Sequence, residues 1–205
     1  MIKGGYKYRP KSRKELRTIA DKILARFPSK RKEWSVDIES ILEELGFEIL
    51  FRPLRGIPVE AYIARNPRYI VVNQERAYFI PRYRFTLSEE LAHRILEFNL
   101  WNNGDMQIPE GARVHELTED QYHAIERDAS ALAAEILEPE EQFKERFAFH
   151  CEELKNQGVG SSRLKASMIE VSHDFEVSLQ SAAFRAKVLG LITNHQYKYT
   201  FPPMM

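Results

Sequence analysis

Residues 84–96 read RFTLSEELAHRIL, and this stretch decides how the rest of the chain is interpreted. It predicts the opening of a helix, with Thr86 or Ser88 as the N-cap and acidic residues in the first turn, where the helix dipole favours negative charge. On a helical wheel one face is apolar and consists of Leu87, Leu91, Ile95 and Phe98. A second face, about 100° wide, gathers Glu89, Glu90, His93 and Glu97.

The polar face of this helix resembles a metal-binding motif. Glu89 and His93 are four residues apart, so both side chains can point at one small ion. The zinc motif H-E-x-x-H uses this spacing: its two His hold the metal, and the Glu after the first His polarises a water molecule. Here Glu90 and His93 match the Glu and the second His, but Glu89 stands where the first His is expected. The stretch therefore predicts either a metal site of altered composition or a site that has lost its metal.

Composition is that of a soluble globular chain, since 43% of the 205 residues are hydrophobic and 29% are charged. No apolar run approaches the roughly 18 residues that a membrane span needs. Residues 1–7 lead into Lys and Arg rather than into the apolar core of a signal peptide. The single Cys151 excludes a disulfide within the chain. Together these features predict a cytoplasmic protein without a membrane partner.

Charge is unevenly distributed, although the formal net charge is zero. Residues 1–32 contain twelve Lys or Arg against only Glu15 and Asp21, a balance of +10, so residues 33–205 carry −10. A basic arm on an acidic body can contact nucleic acid. The more frequent arrangement, which we expect here, is a basic leader that packs on the acidic domain of its own chain.

The hydrophobic periodicity predicts an α+β fold. Helices are expected at residues 13–27, 35–45, 119–137 and 140–155, with two short helices flanking residues 175–178. Strands are expected at residues 47–51, 61–64, 69–73 and 77–80, forming a small antiparallel sheet, and residues 99–118 are expected to form a loop. Val177 and Ser178 between the last two helices, and Gly190 after the second, are typical of a helix-turn-helix, although two helices that cap the core give the same pattern.

Asp128 is the second informative residue, because it lies on the apolar stripe of the helix predicted at 119–137. A carboxylate among packed apolar side chains is costly unless it has a cation, a metal or strong hydrogen-bond donors. A metal and a salt bridge to an arginine such as Arg84 or Arg94 are both compatible with this position.

Three blocks of sequence resemble the ImmA/IrrE family of compact zinc metallopeptidases. The first is residues 84–93, which correspond to an Arg-Phe-Thr-Leu lead into H-E-L-G-H. The second is residues 126–139, ERDASALAAEILEP, which are similar to E-x-E-A-N-x-F-A-A-E-L-L-M-P. The third is residues 175–191, which resemble the closing block F-x-V-S-x-x-A-x-x-R-x-x-x-L-G-L at Phe175, Val177, Ser178, Ala182, Leu189, Gly190 and Leu191, with Arg185 nearby. The resemblance runs from about Ile19 to Thr193.

The resemblance implies a zincin-like fold and a set of site residues. Glu89, His93 and Asp128 would be the metal ligands, and Glu90 would be the general base. Three departures from the family pattern introduce a carboxylate, since Glu89 replaces a His, Glu97 a His and Glu138 a Met; Asp128 replaces a Glu and is shorter by one methylene. One nitrogen and two carboxylates suit Mn²⁺ or Fe²⁺ relatively better than a two-His site does, while Zn²⁺ accepts them as well. The cofactor expected is therefore a divalent metal, zinc or else manganese or iron, or none.

Two functions follow from the resemblance, and a third from the helix pair. The first is metal-dependent proteolysis of a helix-turn-helix repressor, which would switch on stress or mobile-element genes. The second is a catalytically degenerate relative that binds a repressor or antitoxin without cleaving it. Direct nucleic-acid binding through the C-terminal helices is the third, and it is disfavoured by an acidic body with sparse cations. We expect a basic arm with the first helix at 1–32, a metallopeptidase-like domain at 33–155 and a helix-turn-helix-like segment at 156–205.

Overall fold

The computed structural model describes residues 8–56, 58–64, 68–98 and 118–201. In these ranges the elements are α1 (Arg13–Arg26), β1 (Arg31–Lys32), β2 (Ser35–Val36), α2 (Ile38–Glu44), β3 (Glu48–Arg52), β4 (Ala61–Ile63), β5 (Tyr69–Asn73), α3 (Ile80–Phe98), α4 (Glu119–Leu137), α5 (Glu140–Asn156), α6 (Arg163–Asp174), α7 (Leu179–Val188) and α8 (Asn194–Thr200). This order confirms the α+β fold and the C-terminal helix pair. Nearly all of the loop predicted at 99–118 lies outside the described residues. Among the described helices, none is both long enough and apolar enough to cross a membrane.

The three-stranded sheet is mixed, whereas the sequence predicted an antiparallel sheet. Its strand order is β3-β5-β4, with β5 parallel to β3 and antiparallel to β4. β5 takes the centre because it is the most apolar strand: Ile70, Val71 and Val72 are buried, and a strand covered on both faces reads as a continuous apolar run. The chain reaches β5 by way of β4 at the far edge, so β3 and β5 run in the same direction.

α3 begins earlier than the sequence suggested. It starts at Ile80, so Thr86 and Ser88 are not N-caps but lie inside the helix, 6% and 0% exposed. Residues 77–79 form the turn before α3, and the strand predicted at 77–80 is therefore absent. Pro81 accounts for the difference, because its fixed φ and its missing N–H suit the first turn of a helix.

The core is built on the packing of α3 against α4. Leu87 and Leu91 of α3 and Leu132 of α4 are completely buried, as the predicted apolar faces require. The hydroxyl of Ser88 donates to the carbonyl oxygen of Ala133 at 3.4 Å, which shows how closely the two helices approach. α2 and β4 contact α3, and α1 contacts α4.

Asp128 of α4 anchors the N-terminal segment. Its Oδ2 accepts hydrogen bonds from the hydroxyl of Tyr8 at 2.7 Å and from the backbone N–H of Lys11 at 2.6 Å. Its Oδ1 accepts from the guanidinium of Arg127 at 3.0 Å. Asp128 is only 2% exposed, so these donors meet the requirement of a buried carboxylate. The cation beside Asp128 is therefore Arg127, and not Arg84 or Arg94.

The basic N-terminal stretch continues from this anchor onto acidic residues of the body. α1 buries Leu16, Ala20, Ile23 and Leu24 and contacts α4. The ion pairs of this region join Arg13 to Glu135 at 3.7 Å, Arg17 to Glu140, and Lys30 to Glu44 at 3.5 Å. In the part of the chain that is described, the basic leader thus packs on its own domain.

The C-terminal helix pair is fastened to the end of α4. Arg185 of α7 is 3% exposed, and its two terminal nitrogens donate to the carboxylate of Glu135 at 2.7 and 2.6 Å. Its Nε donates to the backbone carbonyl of Glu138 at 3.0 Å. Arg185 is one of the few cations that a DNA-binding role could use, and here it faces the core. The turn before α7 contains Glu176 in the left-handed region, with φ 53°.

Glu138 lies completely buried beside this ion pair. The hydroxyl of Ser181 donates to its Oε2 at 2.8 Å. Burial raises the pKa of Glu138 to about 7, although the hydrogen bond from Ser181 and the charge of Arg185 oppose the shift. This carboxyl therefore titrates near neutral pH, where an exposed glutamate would be fully ionised.

We expect Asp128→Asn to lower the free energy of unfolding by roughly 2 kcal/mol, because an amide cannot accept from all the donors that surround Asp128. Urea denaturation measures the change, and Tyr8→Phe in the same background completes a double-mutant cycle. Asp21→Asn, at an exposed helical aspartate, is the matched control and should change little. Unchanged stability with a loss of bound metal would instead identify Asp128 as a ligand.

We expect Glu138→Gln to flatten the dependence of stability on pH. A pKa raised from 4.5 to about 7 in the folded state contributes stability that is complete below pH 4.5 and is lost as the pH rises through 7. The variant should therefore gain up to about 3 kcal/mol over the parent between pH 5 and pH 8. Urea denaturation at the two pH values tests this. Glu141→Gln, at an exposed position, serves as control, and parallel slopes for parent and variant would refute the assignment.

Candidate functional site

The polar face of α3 meets a matching face of α4. The hydroxyl of Ser130 donates to Oε1 of Glu89 at 2.5 Å. One turn further along α3, Nε2 of His93 lies 3.5 Å from Oε1 of Glu126. Glu89 and His93 are four residues apart on α3, and their partners Ser130 and Glu126 are four residues apart on α4. The partners follow in reverse order because the two helices are antiparallel. We call Glu89, His93, Glu126 and Ser130 the acid–histidine face.

The carboxyl group of Glu89 is shifted toward its protonated form. Burial raises its pKa, and the nearby charge of Glu126 acts in the same direction. The hydrogen bond from Ser130 and the charges of Arg82 and His93 lower the pKa, but they do not outweigh burial. A metal ligand must be deprotonated, so burial at Glu89 opposes the form of the carboxyl group that could bind a metal ion.

A second polar cluster continues the face toward the sheet. Nε of Arg82 donates to Oε2 of Glu60 at 2.5 Å, and the hydroxyl of Thr86 donates to the same oxygen at 3.1 Å. Burial opposes the ionisation of Glu60, but these donors prevail and its pKa is lowered. Its hydrogen bond to Glu60 raises the pKa of Arg82 in turn. Arg82, Thr86, Glu89 and His93 thus form one polar stripe along α3.

Asp128 does not lie on the acid–histidine face. At about 100° per residue it is rotated about 200° from Glu126 around α4, and its carboxylate contacts Tyr8, Lys11 and Arg127. The structure therefore brings Glu89 and His93 together but leaves Asp128 on another side of α4. The acidic residue of α4 that faces them is Glu126.

Glu126 and Ser130 were not singled out from the sequence. Their four-residue spacing matches that of Glu89 and His93, and this match is the signal that could have identified them. Glu90, the predicted base, is half-buried on α3, and its role stays a prediction. The side chain of Glu97 lies outside the described part of the chain.

The predicted ligand set does not fit a divalent metal in this arrangement. Both oxygens of Asp128 are occupied by protein donors, and Glu89 is hydrogen-bonded and shifted toward protonation. Among the side chains that the structure describes, which do not include that of Glu97, no three His, Cys, Asp or Glu are grouped so that they could hold an ion. The metal and the ligand roles of Glu89, His93 and Asp128 remain predictions, which this geometry does not favour.

Comparisons with known proteins place this helix pair in a family. The model of the IrrE N-terminal-like domain, Peptidase_M78, matches residues 42–187. No curated protein matches the sequence. Among solved structures, a Mycobacterium tuberculosis transcriptional regulator is similar, with a TM-score of 0.54 and 12% identity over 85% of this chain. The similarity covers 46% of that regulator, so this chain spans less than half of its length.

At this level of identity the structural similarity establishes the fold alone, whereas the family match is made on the sequence itself. The match crosses the domain boundary predicted at 155/156, and the three-part division stays a prediction. It contains both helices of the acid–histidine face and extends over more than half of the 205 residues. The chain therefore belongs to the Peptidase_M78 family of IrrE N-terminal-like domains.

Proposed function

We propose that this chain is a regulator of transcription that uses a metallopeptidase-like fold to bind a protein partner without cleaving it. The partner is a helix-turn-helix repressor or the antitoxin of a toxin–antitoxin pair. One observation carries the proposal: the hydrogen bond from Ser130 to Oε1 of Glu89 at 2.5 Å ties the carboxyl group that replaces the first His of the zinc motif to the facing helix α4.

The reason lies in the chemistry of that position. A working metal site needs a deprotonated donor whose lone pairs are available to the ion. Glu89 accepts a hydrogen bond from Ser130 through Oε1, and burial raises its pKa. His93 is likewise directed at Glu126. Glu89 and His93, which stand at the two His positions of the zinc motif, thus link α3 to α4. This supports a role of the fold as a scaffold for a bound partner.

Metal-dependent proteolysis of the repressor, with Glu90 as base, is the alternative. His93 and Glu126 favour it, because together they present a nitrogen and an oxygen donor from facing helices. The two functions differ in the metal content that they require and in the fate of the partner.

We expect the protein, purified without chelators, to contain much less than one transition metal ion per chain, both before and after incubation with Zn²⁺, Mn²⁺ or Fe²⁺. Elemental analysis measures this. A helix-turn-helix repressor encoded next to the gene of this chain should bind and stay intact, with equal affinity for the parent and for Glu90→Gln. Stoichiometric metal together with cleavage that Glu90→Gln abolishes would contradict the proposal and support the protease.

We expect Glu89→His to raise the affinity for Zn²⁺ by at least about tenfold, because a neutral imidazole replaces a carboxyl group whose charged form is disfavoured by burial. Calorimetric titration of both proteins with Zn²⁺ provides the measurement. Adding Glu126→Gln to the variant should remove the gain if Glu126 is the facing donor. Equal affinities for Glu89→His and the parent would show that Glu89 is not what weakens this site.

A further inference from the structure

An exposed apolar patch lies where β3 and β5 end. Phe51 is 44% exposed, and three consecutive residues before and at the start of α3 are still more exposed: Tyr78 at 84%, Phe79 at 50% and Ile80 at 57%. Single exposed apolar residues are ordinary on a protein surface, whereas a contiguous group indicates an interaction site.

The two turns that carry this patch are held rigidly. Because β3 and β5 are parallel, their ends lie side by side, and the N–H of Gln74 donates to the carbonyl oxygen of Arg52 at 2.9 Å. The carboxamide of Asn73, 1% exposed, accepts from the N–H groups of Leu54 and Glu75 at 3.4 and 3.1 Å. A surface that is already ordered loses little conformational entropy when a partner binds.

Exposed arginines lie in the same part of the chain as the apolar residues. Arg52 ends β3, and Arg55 and Arg76 lie in the two turns that follow β3 and β5. The acidic residue of these turns, Glu75, lies 3.6 Å from Arg55. Within the described residues, no ion pair involves Arg52 or Arg76. This positive area contrasts with the excess of ten negative charges in residues 33–205.

We infer that this aromatic–arginine surface, formed by Phe51, Arg52, Arg55, Arg76, Tyr78, Phe79 and Ile80, is where the chain binds its protein partner. The partner surface that fits has acidic side chains around an apolar centre. Tyr, Phe and Arg are enriched in protein interfaces and Lys is depleted, and these two turns contain no lysine. The inference rests on the proposed function, since it assigns the docking site of that partner.

Two other occupants fit less well. Single-stranded nucleic acid also uses aromatic residues and cations, but its sites are grooves that follow the backbone, whereas this patch projects from two turns. A second copy of the chain bound by a two-fold axis would place like arginines of the two copies near each other, because such an interface uses the same surface twice. Charge therefore favours a different, acidic protein.

The test measures binding by fluorescence anisotropy with two probes. One is the neighbouring repressor, and the other is a helical peptide with a leucine face and a glutamate face. Two variants alter the surface independently: Tyr78→Ser with Phe79→Ser, and Arg52→Glu with Arg76→Glu. Tyr199→Ser is a matched control because Tyr199 is also 84% exposed, and Lys22→Glu controls for charge reversal at an exposed cation.

Both probes should bind the parent and the control variants alike, and at least about tenfold more weakly to either surface variant. The peptide with glutamine in place of glutamate should also bind more weakly. If the repressor does not bind the parent but the peptide binds through Tyr78 and Arg52, the proposed function fails while the docking surface stands. If the repressor binds the surface variants as tightly as the parent, the docking surface is refuted while the function stands.

The other occupants are tested in the same series. Binding of a single-stranded oligonucleotide that the surface variants abolish, without binding of the peptide, would overturn the inference in favour of nucleic acid. Self-association in sedimentation velocity that the surface variants abolish would overturn it in favour of a second copy. Absence of peptide binding to the parent would also refute it.

Discussion

The close packing of α3 against α4 is the constraint on which the rest of the structure depends. Small residues allow it: Ala92 and Ser88 of α3 and Ala129 and Ala133 of α4 are completely buried. Once two helices approach so closely, their rotation and register are determined, because a shift would force larger side chains into the contact. This register places Ser130 at Glu89 and Glu126 at His93, so the chemistry of the polar face follows from the packing of the apolar one.

Buried carboxylates along α4 are satisfied in three different ways. Asp128 is surrounded by donors from the N-terminal segment, Glu135 has a bidentate arginine, and Glu138 tends toward its neutral form at about pH 7. Each solution removes the cost of an isolated buried charge. None of them requires a metal ion, so carboxylates at motif positions are not in themselves a sign of one.

The sequence predicted α1, α4 and α5 closely because apolar faces repeat with the helical period, and both ends of α4 were correct. It did not predict α8, and residues 35–36, predicted as helix, form β2. It misplaced the start of α3, since Thr86 and Ser88 look like caps until tertiary packing buries them. It also chose Asp128 over Glu126, because the motif places an acid there and periodicity alone does not say which side of α4 meets α3. The sequence also did not predict that β3 and β5 are parallel. Whether neighbouring strands are parallel depends on the order of the strands, and that order is a property of the whole sheet.

The N-terminal segment explains much of what made the acidic residues look like a metal site. The family match begins at residue 42, so α1 and the segment before it lie outside the matched region. Their contacts fall on Asp128, Glu135 and Glu140, acidic residues of α4 and of the start of α5. The +10 charge of residues 1–32 needs such partners. Glu135 and Glu140 are therefore paired with arginines of α1, whereas the carboxylate of Asp128 is held by the hydroxyl of Tyr8 and the backbone N–H of Lys11 from the segment before α1.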